Sequence, residues 1–405
     1  MRAMIFEPQF LGHNLVYVRH IVGALEQLGT RVTLLTSRQV VDSEEFRKYL
    51  SDLKGSFEVL VSENFALSSD GTSVRVNGPQ GLLSSLRAIL TGLKSSNPDH
   101  FFLPFGNPLA HALGLPNPVS KYLRENRVEA EIVLLFGKYA YQHHDWVSRA
   151  KQELALRLLA HGPWTRIHHI VPHAIEVMQS HGSRIRNIAH LLPDPIDPPP
   201  TMTQSEARAM LGLNPAGKYV SLVGLIDERK GVGDLLRAAK LLGGRLGPET
   251  SVLLAGKHSE VARNLLASEF KELVISSRIV SIDRHLSQDE LWAACIASDL
   301  ITTPYPEHRY SASIVLRAAA VGVPVLANAI GWMEDVTHRY SLGWTCRTRD
   351  PREFALKMSE ILAQPGAYTQ TPQAKSFVEF HSLANFQSRI TERIRQRQAA
   401  QLEAA

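Results

Sequence analysis

Five prolines fall within residues 191–203, LLPDPIDPPPTMT, and they decide how the rest of the chain is partitioned. Each proline removes a backbone donor and fixes φ, so the run can continue neither a helix nor a central strand. It lies near the middle of 405 residues, a length that suits two domains of about two hundred residues better than one. The expected organisation is a first domain over 1–192, a Pro-rich linker over 193–203, a second domain over 204–372 and a helical tail over 373–405.

Short apolar runs alternate with amphipathic ones on both sides of that linker. In the first half, residues 2–6 read as a strand, 8–14 as a loop containing Gly12, 17–28 as a helix with Val18, Ile21, Val22 and Leu25 on one face, and 31–36 as the next strand. Further strands are expected over 57–61, 100–103, 130–135 and 166–170, and helices near 82–93, 146–160 and 174–180. Residues 41–52, 62–81 and 104–120 read as loops. Such alternation predicts α/β domains, each with a parallel sheet covered on both faces. The opening strand–helix–strand unit is Rossmann-like but lacks the G-x-G-x-x-G fingerprint of dinucleotide sites.

Two stretches of the second half carry the strongest functional signal. In 219–239, a buried strand runs into a loop from Gly224, then into Lys230-Gly231 and an amphipathic helix with Leu235, Leu236 and Ala239 on one face. A lysine beside a strand-to-helix loop is placed to meet phosphate. In 303–328, TPYPEHRYSASIVLRAAAVGVPVLAN, a strand end and a polar loop lead to a helix expected to begin at Ser311 to Ser313. Hydroxyls there can cap the helix or share its free N–H groups with an anion. Both loops are expected at the carboxyl edge of one parallel sheet, where open α/β folds bind ligands.

Composition narrows the alternatives. The net charge of +5 is not gathered into a stripe, which argues against a nucleic-acid partner. Cys295 and Cys346 are too few for a disulfide framework or a cysteine metal site and fit a reducing compartment. Residues 2–7 are not a secretory leader, and the most apolar window, 312–332, is interrupted by Arg317, Gly322 and Pro324, so a cytoplasmic chain is expected, with peripheral contact at the inner membrane face left open. The pairs His143-His144 and His168-His169 diverge on any regular element, so no metal site is expected. Neither a D-x-D motif nor a Walker loop occurs. The tail, 374–401, reads as one helical stretch whose Arg389, Arg393, Arg395 and Arg397 form a solvated face.

The order of the segments resembles the donor-binding half of glycosyltransferase family 4 over roughly 219–362: the glycine loop ending in Lys230-Gly231, the strand 251–256, LSQDELWAACIASDLITTPY at 286–305, then LRAAAVGVPVLAN and GWMEDV. That resemblance implies the GT-B fold, two Rossmann-like domains facing a cleft, with a C-terminal helix crossing back to the first. It implies transfer of a sugar from a nucleotide-diphosphate sugar to an acceptor hydroxyl, with retention of configuration, without metal, and with no cofactor beyond the donor substrate. Lys230 is the first catalytic candidate, stabilising the departing diphosphate; Lys138 is a second, on the acceptor side, and His111 a further one. The donor-binding set is Gly12, Gly224, Arg229, Lys230, Glu307, Arg309, Ser311, Ser313, Arg317 and Glu334.

This sequence departs from the family pattern at three of those places. Leu225 stands where an arginine usually follows the first-loop glycine, and Arg309 and Arg317 stand at the two glutamate positions of the later loop. A hydrogen bond to a charged group contributes roughly 1.5–3 kcal/mol, so the two exchanges remodel donor contact substantially. An arginine can fork onto phosphate or a base carbonyl instead. For Arg317 an ion pair within the domain is the alternative. Two other readings stay open: a non-catalytic GT-B-like binding or partner protein, and a sugar-nucleotide epimerase. The acceptor is unspecified.

Overall fold

The computed structural model describes residues 1–10, 14–53, 55–136, 145–243, 247, 249–364, 366 and 368–403. Its contacts divide the chain into two units, Met1–Pro193 with Ala384–Ala405, and Asp194–Leu383.

Unit 1 is built on seven parallel strands: β1 (Arg2–Phe6), β2 (Arg31–Ser37), β3 (Phe57–Ser62), β4 (His100–Leu103), β5 (Glu129–Leu134), β6 (Arg166–His169) and β7 (Ala189–Leu191), in the order β3-β2-β1-β4-β5-β6-β7. β1 pairs with β2 from Arg2 opposite Arg31 and with β4 from Ala3 opposite His100. The central strands are buried on both faces, which is why β1 and β4 read as uninterrupted apolar runs. The helices Asn14–Glu26 and Gly78–Ser96 cover the sheet; in the first, Leu15, Val18, Ile21, Val22 and Leu25 are almost wholly buried.

Several short elements depart from the expectation. Residues 41–52 are largely helical, as Arg38–Asp42 and Glu44–Leu50, because the Ser37 and Ser43 hydroxyls accept from Val40 N and Phe46 N and cap the two turns. Pro118–Glu125 is also a helix, with Asn117 accepting from Ser120 N. The tail is three helices, Pro372–Phe380, Leu383–Ile390 and Glu392–Glu403, broken at His381, whose Nδ1 accepts from the backbone N–H of Asp194 at 3.1 Å. The break separates residues that pack in unit 2 from residues 384–403, which pack in unit 1: Phe386 lies edge-on to Tyr17 at 5.6 Å, and Ile390 and Ile394 are fully buried. Of the four arginines expected on a solvated face, Arg395 is exposed and the other three are tied to the unit. Arg389 donates to Leu191 O, Arg393 pairs with Glu129 at 3.0 Å and Arg397 donates to Asp99 O at 3.3 Å.

Unit 2 has six parallel strands: β8 (Lys218–Val223), β9 (Thr250–Ala255), β10 (Ile279–Ile282), β11 (Leu300–Thr303), β12 (Val325–Asn328) and β13 (Gly343–Cys346), in the order β10-β9-β8-β11-β12-β13. The chain winds outward from β8 through β9 to β10, then crosses back and winds the other way from β11 to β13. The reversal falls between β8 and β11, which pair at Leu300 opposite Val220 and Ile301 opposite Ser221.

Candidate functional site

A parallel sheet whose winding reverses leaves its flanking loops splayed apart at the carboxyl ends of the two strands concerned, and ligands bind in that crevice. In unit 2 the loops so placed follow β8 (224–231) and β11 (304–312), the same two the sequence singles out.

The first loop is shaped by glycines that admit no side chain. Gly224 has φ 101° and Gly256 φ 136°, and a Cβ on Gly256 would lie 1.9 Å from the Gly224 carbonyl oxygen. A Cβ on Gly224 would lie 2.5 Å from Lys230 Nζ, so the missing methyl is what lets the lysine fold back over the end of β8. There Lys230 Nζ donates to Val223 O at 3.0 Å and stands 5.5 Å from the centroid of the Tyr305 ring, which the β11 loop supplies. Burial pulls the amine down to about 8, against the opposing pull of the Asp227 carboxylate. One backbone carbonyl and one ring face do not satisfy an ammonium with three donors, so this amine is poised to take an anion.

Asp227 builds the turn that presents it. Its carboxylate accepts from Lys230 N at 3.1 Å and binds Arg229 Nη2 at 2.6 Å, so Arg229 is folded back along its own turn with most of its side chain in solvent. Leu225 is 43% exposed.

The second loop differs from expectation at its helix start. The helix is Ser313–Ala320, its cap residue is Ala312, and no side chain caps it. Ser311 lies one residue before the cap position, its hydroxyl donating to Asp194 Oδ2 at 2.7 Å and its carbonyl meeting His308 Nε2 at 3.0 Å. Ser313 is exposed in the first turn, where unpaired backbone N–H groups remain. Arg309 is exposed, and its backbone carbonyl accepts from Trp332 N at 3.2 Å. Glu307 is exposed and points to Arg349 at 3.6 Å. Glu334, half-buried, lies in the first turn of the helix Gly331–Arg339.

Arg317 is turned away from this group. Its guanidinium stacks 4.5 Å from the Trp292 ring and donates to Gln288 Oε1 at 2.7 Å, both on the helix Gln288–Ala297. An amide and an aromatic face are the contacts it makes here.

Three residues outside the expected donor-binding set complete the group. Tyr305 is buried beneath Lys230. His308 stands edge-on to the Tyr305 and Tyr310 rings, and burial together with the charges of Lys230 and Arg229 lowers its pKa against the contrary effect of its bond to Ser311. Asn328 donates to Tyr305 O at 2.9 Å and fixes the loop from below. A tyrosine and a histidine spaced i, i+3 in a proline-bounded loop were the available signal.

Unit 1 has its own reversal, between β1 and β4. Glu7 follows β1 there, 2% exposed, its Oε1 accepting from Gln9 N at 3.0 Å and Asn14 Nδ2 at 3.1 Å, and burial raises it to about 8. Gly12 and His13, Lys138 and the His143-His144 pair lie outside the described residues. His111 is exposed, just before the turn Ala112–Gly114. Of the other pair, His168 Nε2 donates to buried Glu131 at 2.6 Å, while His169 Nδ1 accepts from Val171 N at 2.9 Å, so the two rings diverge. Among the described residues no group of three His, Cys, Asp or Glu side chains is arranged to hold a metal.

Residues 203–377 match the family model of glycosyl transferases group 1. The match to that family is confined to this segment, less than half of the chain. The segment falls within unit 2 and contains both loops described above. Named relatives agree: the chain is 32% identical over 164 residues to a D-inositol 3-phosphate glycosyltransferase of Mycolicibacterium gilvum, covering 40% of this chain and 35% of that protein. It is 35% identical over 164 residues to the protein of that name from Mycobacterium sp. strain JLS, covering 40% and 36%. The matched segment thus spans little more than a third of the length of these relatives.

Solved structures extend the fold likeness to the whole chain. Anabaena HepE, in complex with UDP, superposes with a TM-score of 0.67 at 14% identity, over 98% of this chain and 100% of that one. Sucrose-phosphate synthase of Thermosynechococcus elongatus gives 0.64 at 17% identity, over 99% and 100%. WaaG, a glycosyltransferase involved in lipopolysaccharide biosynthesis, gives 0.59 at 16% identity, over 96% and 97%. The fold is GT-B, two Rossmann-like units, the second of which holds the segment that matches the family model.

Proposed function

We propose that the chain is a glycosyltransferase that moves a sugar from a nucleotide-diphosphate sugar to an acceptor hydroxyl, with retention of configuration and without a metal. The observation that carries the reading is the Lys230 amine, held at the winding reversal of the second unit by Val223 O and the face of Tyr305, a ring supplied by the loop that leads into the uncapped helix Ser313–Ala320. The UDP bound to the HepE neighbour is the kind of ligand this arrangement would take.

In the transfer, the bond between the sugar C1 and the diphosphate oxygen breaks and its electron pair leaves with the diphosphate. Lys230 stabilises that growing charge. Unit charges about 4 Å apart gain roughly 4 kcal/mol at an effective dielectric of 20, and a helix N-terminus adds about 0.3–2 kcal/mol. Those two sources make a divalent cation unnecessary for leaving-group stabilisation. The acceptor oxygen forms the new bond to C1 on the face the diphosphate leaves, and its proton passes to a diphosphate oxygen. Asp227 is engaged by Arg229 and the backbone, and Asp194 by Ser311, which favours the leaving group as proton acceptor.

Thermal-shift titration against nucleoside diphosphates and their sugars tests the site, with Lys230→Ala alongside. One nucleotide should raise the melting temperature of the wild type and not of the variant; no shift at millimolar nucleotide would remove the donor-site reading and favour a binding protein. With the donor in hand, NMR of the product anomer and assays with and without EDTA decide retention and metal independence. Epimerisation of the donor without transfer would select the epimerase reading instead.

A further inference from the structure

The hydrogen bond of His308 fixes where its proton sits. Nε2 lies 3.0 Å from the carbonyl oxygen of Ser311, which can only accept, so Nε2 carries the hydrogen and donates it. A neutral imidazole has one N–H, which leaves Nδ1 as a lone pair. The ring is neutral at pH 7, because burial and the positive charges of Lys230 and Arg229 lower its pKa against the pull of the Ser311 and Tyr310 backbone. The Tyr305 and Tyr310 rings flank it edge-on, at 5.7 Å and 5.9 Å, and hold that orientation. His308 is half-buried, so the lone pair is within reach of a small molecule in the crevice.

Its place beside Lys230 gives that lone pair a use. The buried Tyr305 ring has Lys230 Nζ at 5.5 Å and the His308 ring at 5.7 Å, so a cation and an uncharged acceptor flank one aromatic side chain. The charged side chains of the two loops cannot replace the acceptor. Arg229, Lys230 and Arg309 donate and have no lone pair to offer. Asp227 is engaged by Arg229 at 2.6 Å and Glu307 faces Arg349 at 3.6 Å, and a carboxylate at either place would repel a neighbouring phosphate. A hydroxyl group a few atoms from a diphosphate calls for an acceptor that adds no negative charge, and an imidazole nitrogen meets that need.

We propose that His308 is a specificity-determining residue of this crevice, its Nδ1 accepting the O–H of a hydroxyl group that adjoins the diphosphate held by Lys230. The proposal rests on the donor-site reading given above and adds to it a residue that reads the ligand's hydroxyl pattern rather than its charge. Two parts of a nucleotide sugar carry such a hydroxyl, the ribose and the sugar to be transferred, and the chemistry at Nδ1 is the same for both. A site built to accept from a hydroxyl discriminates against the analogue that lacks it, because the half-buried lone pair is then left without a donor.

The test is calorimetric titration of the full chain with UDP, ADP and GDP, with their dideoxy forms, which lack both ribose hydroxyls, and with their glucose conjugates. Wild type, His308→Ala, His308→Asn and Lys230→Ala are compared, with circular dichroism to establish that each is folded. In the wild type the contacted hydroxyl should be worth roughly threefold to tenfold in affinity. Where the ribose is read, the dideoxy form binds more weakly than the diphosphate; where the sugar is read, the conjugate binds more tightly than the diphosphate. His308→Ala should lose that difference and still bind the diphosphate, and His308→Asn, whose side-chain oxygen falls near the place of Nδ1, should restore most of it. Equal discrimination by wild type and His308→Ala, with Lys230→Ala still weakening every ligand, overturns this proposal and leaves the donor site standing. A uniform loss across all ligands in His308→Ala overturns it too and assigns the ring to support of the loop. A wild type that binds none of the three diphosphates removes the donor-site reading itself, and this one with it.

Discussion

Ser311 donates its hydroxyl proton to the carboxylate of Asp194 across 2.7 Å, so the first residue of unit 2 holds a carboxylate beside the loop that leads into the helix Ser313–Ala320. A diphosphate arriving at the helix start meets that carboxylate as a like charge. Charges about 8 Å apart repel by roughly 0.5–2 kcal/mol between the dielectric of water and that of a protein surface. Asp194→Asn keeps an acceptor for Ser311 and removes the charge, and should tighten nucleoside-diphosphate binding several-fold in calorimetry. Unchanged affinity would place the diphosphate away from this loop.

Lys230 makes nucleotide affinity depend on pH in a defined direction. Its amine, lowered from 10.5 to about 8 in the free protein, is charged below pH 8 and loses its charge above it. Binding of the diphosphate should therefore weaken above pH 8, by at most tenfold per unit, and Lys230→Ala should flatten the profile and cost about 10–100-fold in affinity at neutral pH. Stability of the ligand-free protein runs the opposite way: between 8 and 10.5 the unfolded chain binds the extra proton, so this site adds stability as pH rises through that window. Melting temperatures of wild type and Lys230→Met across that window check the sign.

Gly256→Ala tests the close approach of two backbones. The added methyl would meet the Gly224 carbonyl at 1.9 Å at a φ of 136°, so the β8 loop must shift and carry Lys230 with it. The expected result is a loss of about 1–3 kcal/mol in stability together with loss of the nucleotide-induced thermal shift. Retained binding at lowered stability would show that the loop re-forms around the ligand.

Arg317→Glu restores the residue type of the family pattern, yet it should destabilise the protein. The guanidinium lies over Trp292 and against Gln288, and a carboxylate in its place would face the negative ring surface and an amide oxygen. A loss of about 1–3 kcal/mol in denaturant titration is expected, with no gain in nucleotide affinity.

Glu7 sets a second pH dependence, of opposite sense. Raised from 4.5 to about 8 by burial, it is protonated in the folded protein where the unfolded chain has ionised. Its contribution to stability is complete below 4.5 and is lost as pH rises through 8. Glu7→Gln keeps the acceptor for Gln9 and Asn14, so its melting temperature should gain on the wild type from pH 5 to pH 8.

The central strands were legible because they are buried on two faces and therefore read as apolar runs; β1 and β4 match their expected limits. The position of the two loops at the winding reversal was legible as well, since each lies between a buried apolar run and an amphipathic one. What each side chain does within them was not. Ser311 appeared as a cap because nothing local reveals a carboxylate 117 residues away. Arg317 appeared as a ligand contact because the ring that captures it belongs to another helix. Short helices such as Glu44–Leu50 escaped because one capping serine outweighs a weak apolar pattern over so few residues. The paired arginines of the tail were hidden for the reason that hid Asp194: their partners, Glu129 and Asp99, lie far away in sequence.

That last pairing bears on how the protein comes into being. Residues 384–403 complete unit 1, covering Tyr17 with Phe386 and closing on Glu129, yet the ribosome reaches them only after every residue of unit 2 has been made. Unit 2 is continuous in the chain and can fold as it emerges, whereas the amino-terminal unit must wait with an open apolar seam. The amino-terminal unit is thus begun first and completed last, and until the final helices are made its apolar seam is the surface left uncovered.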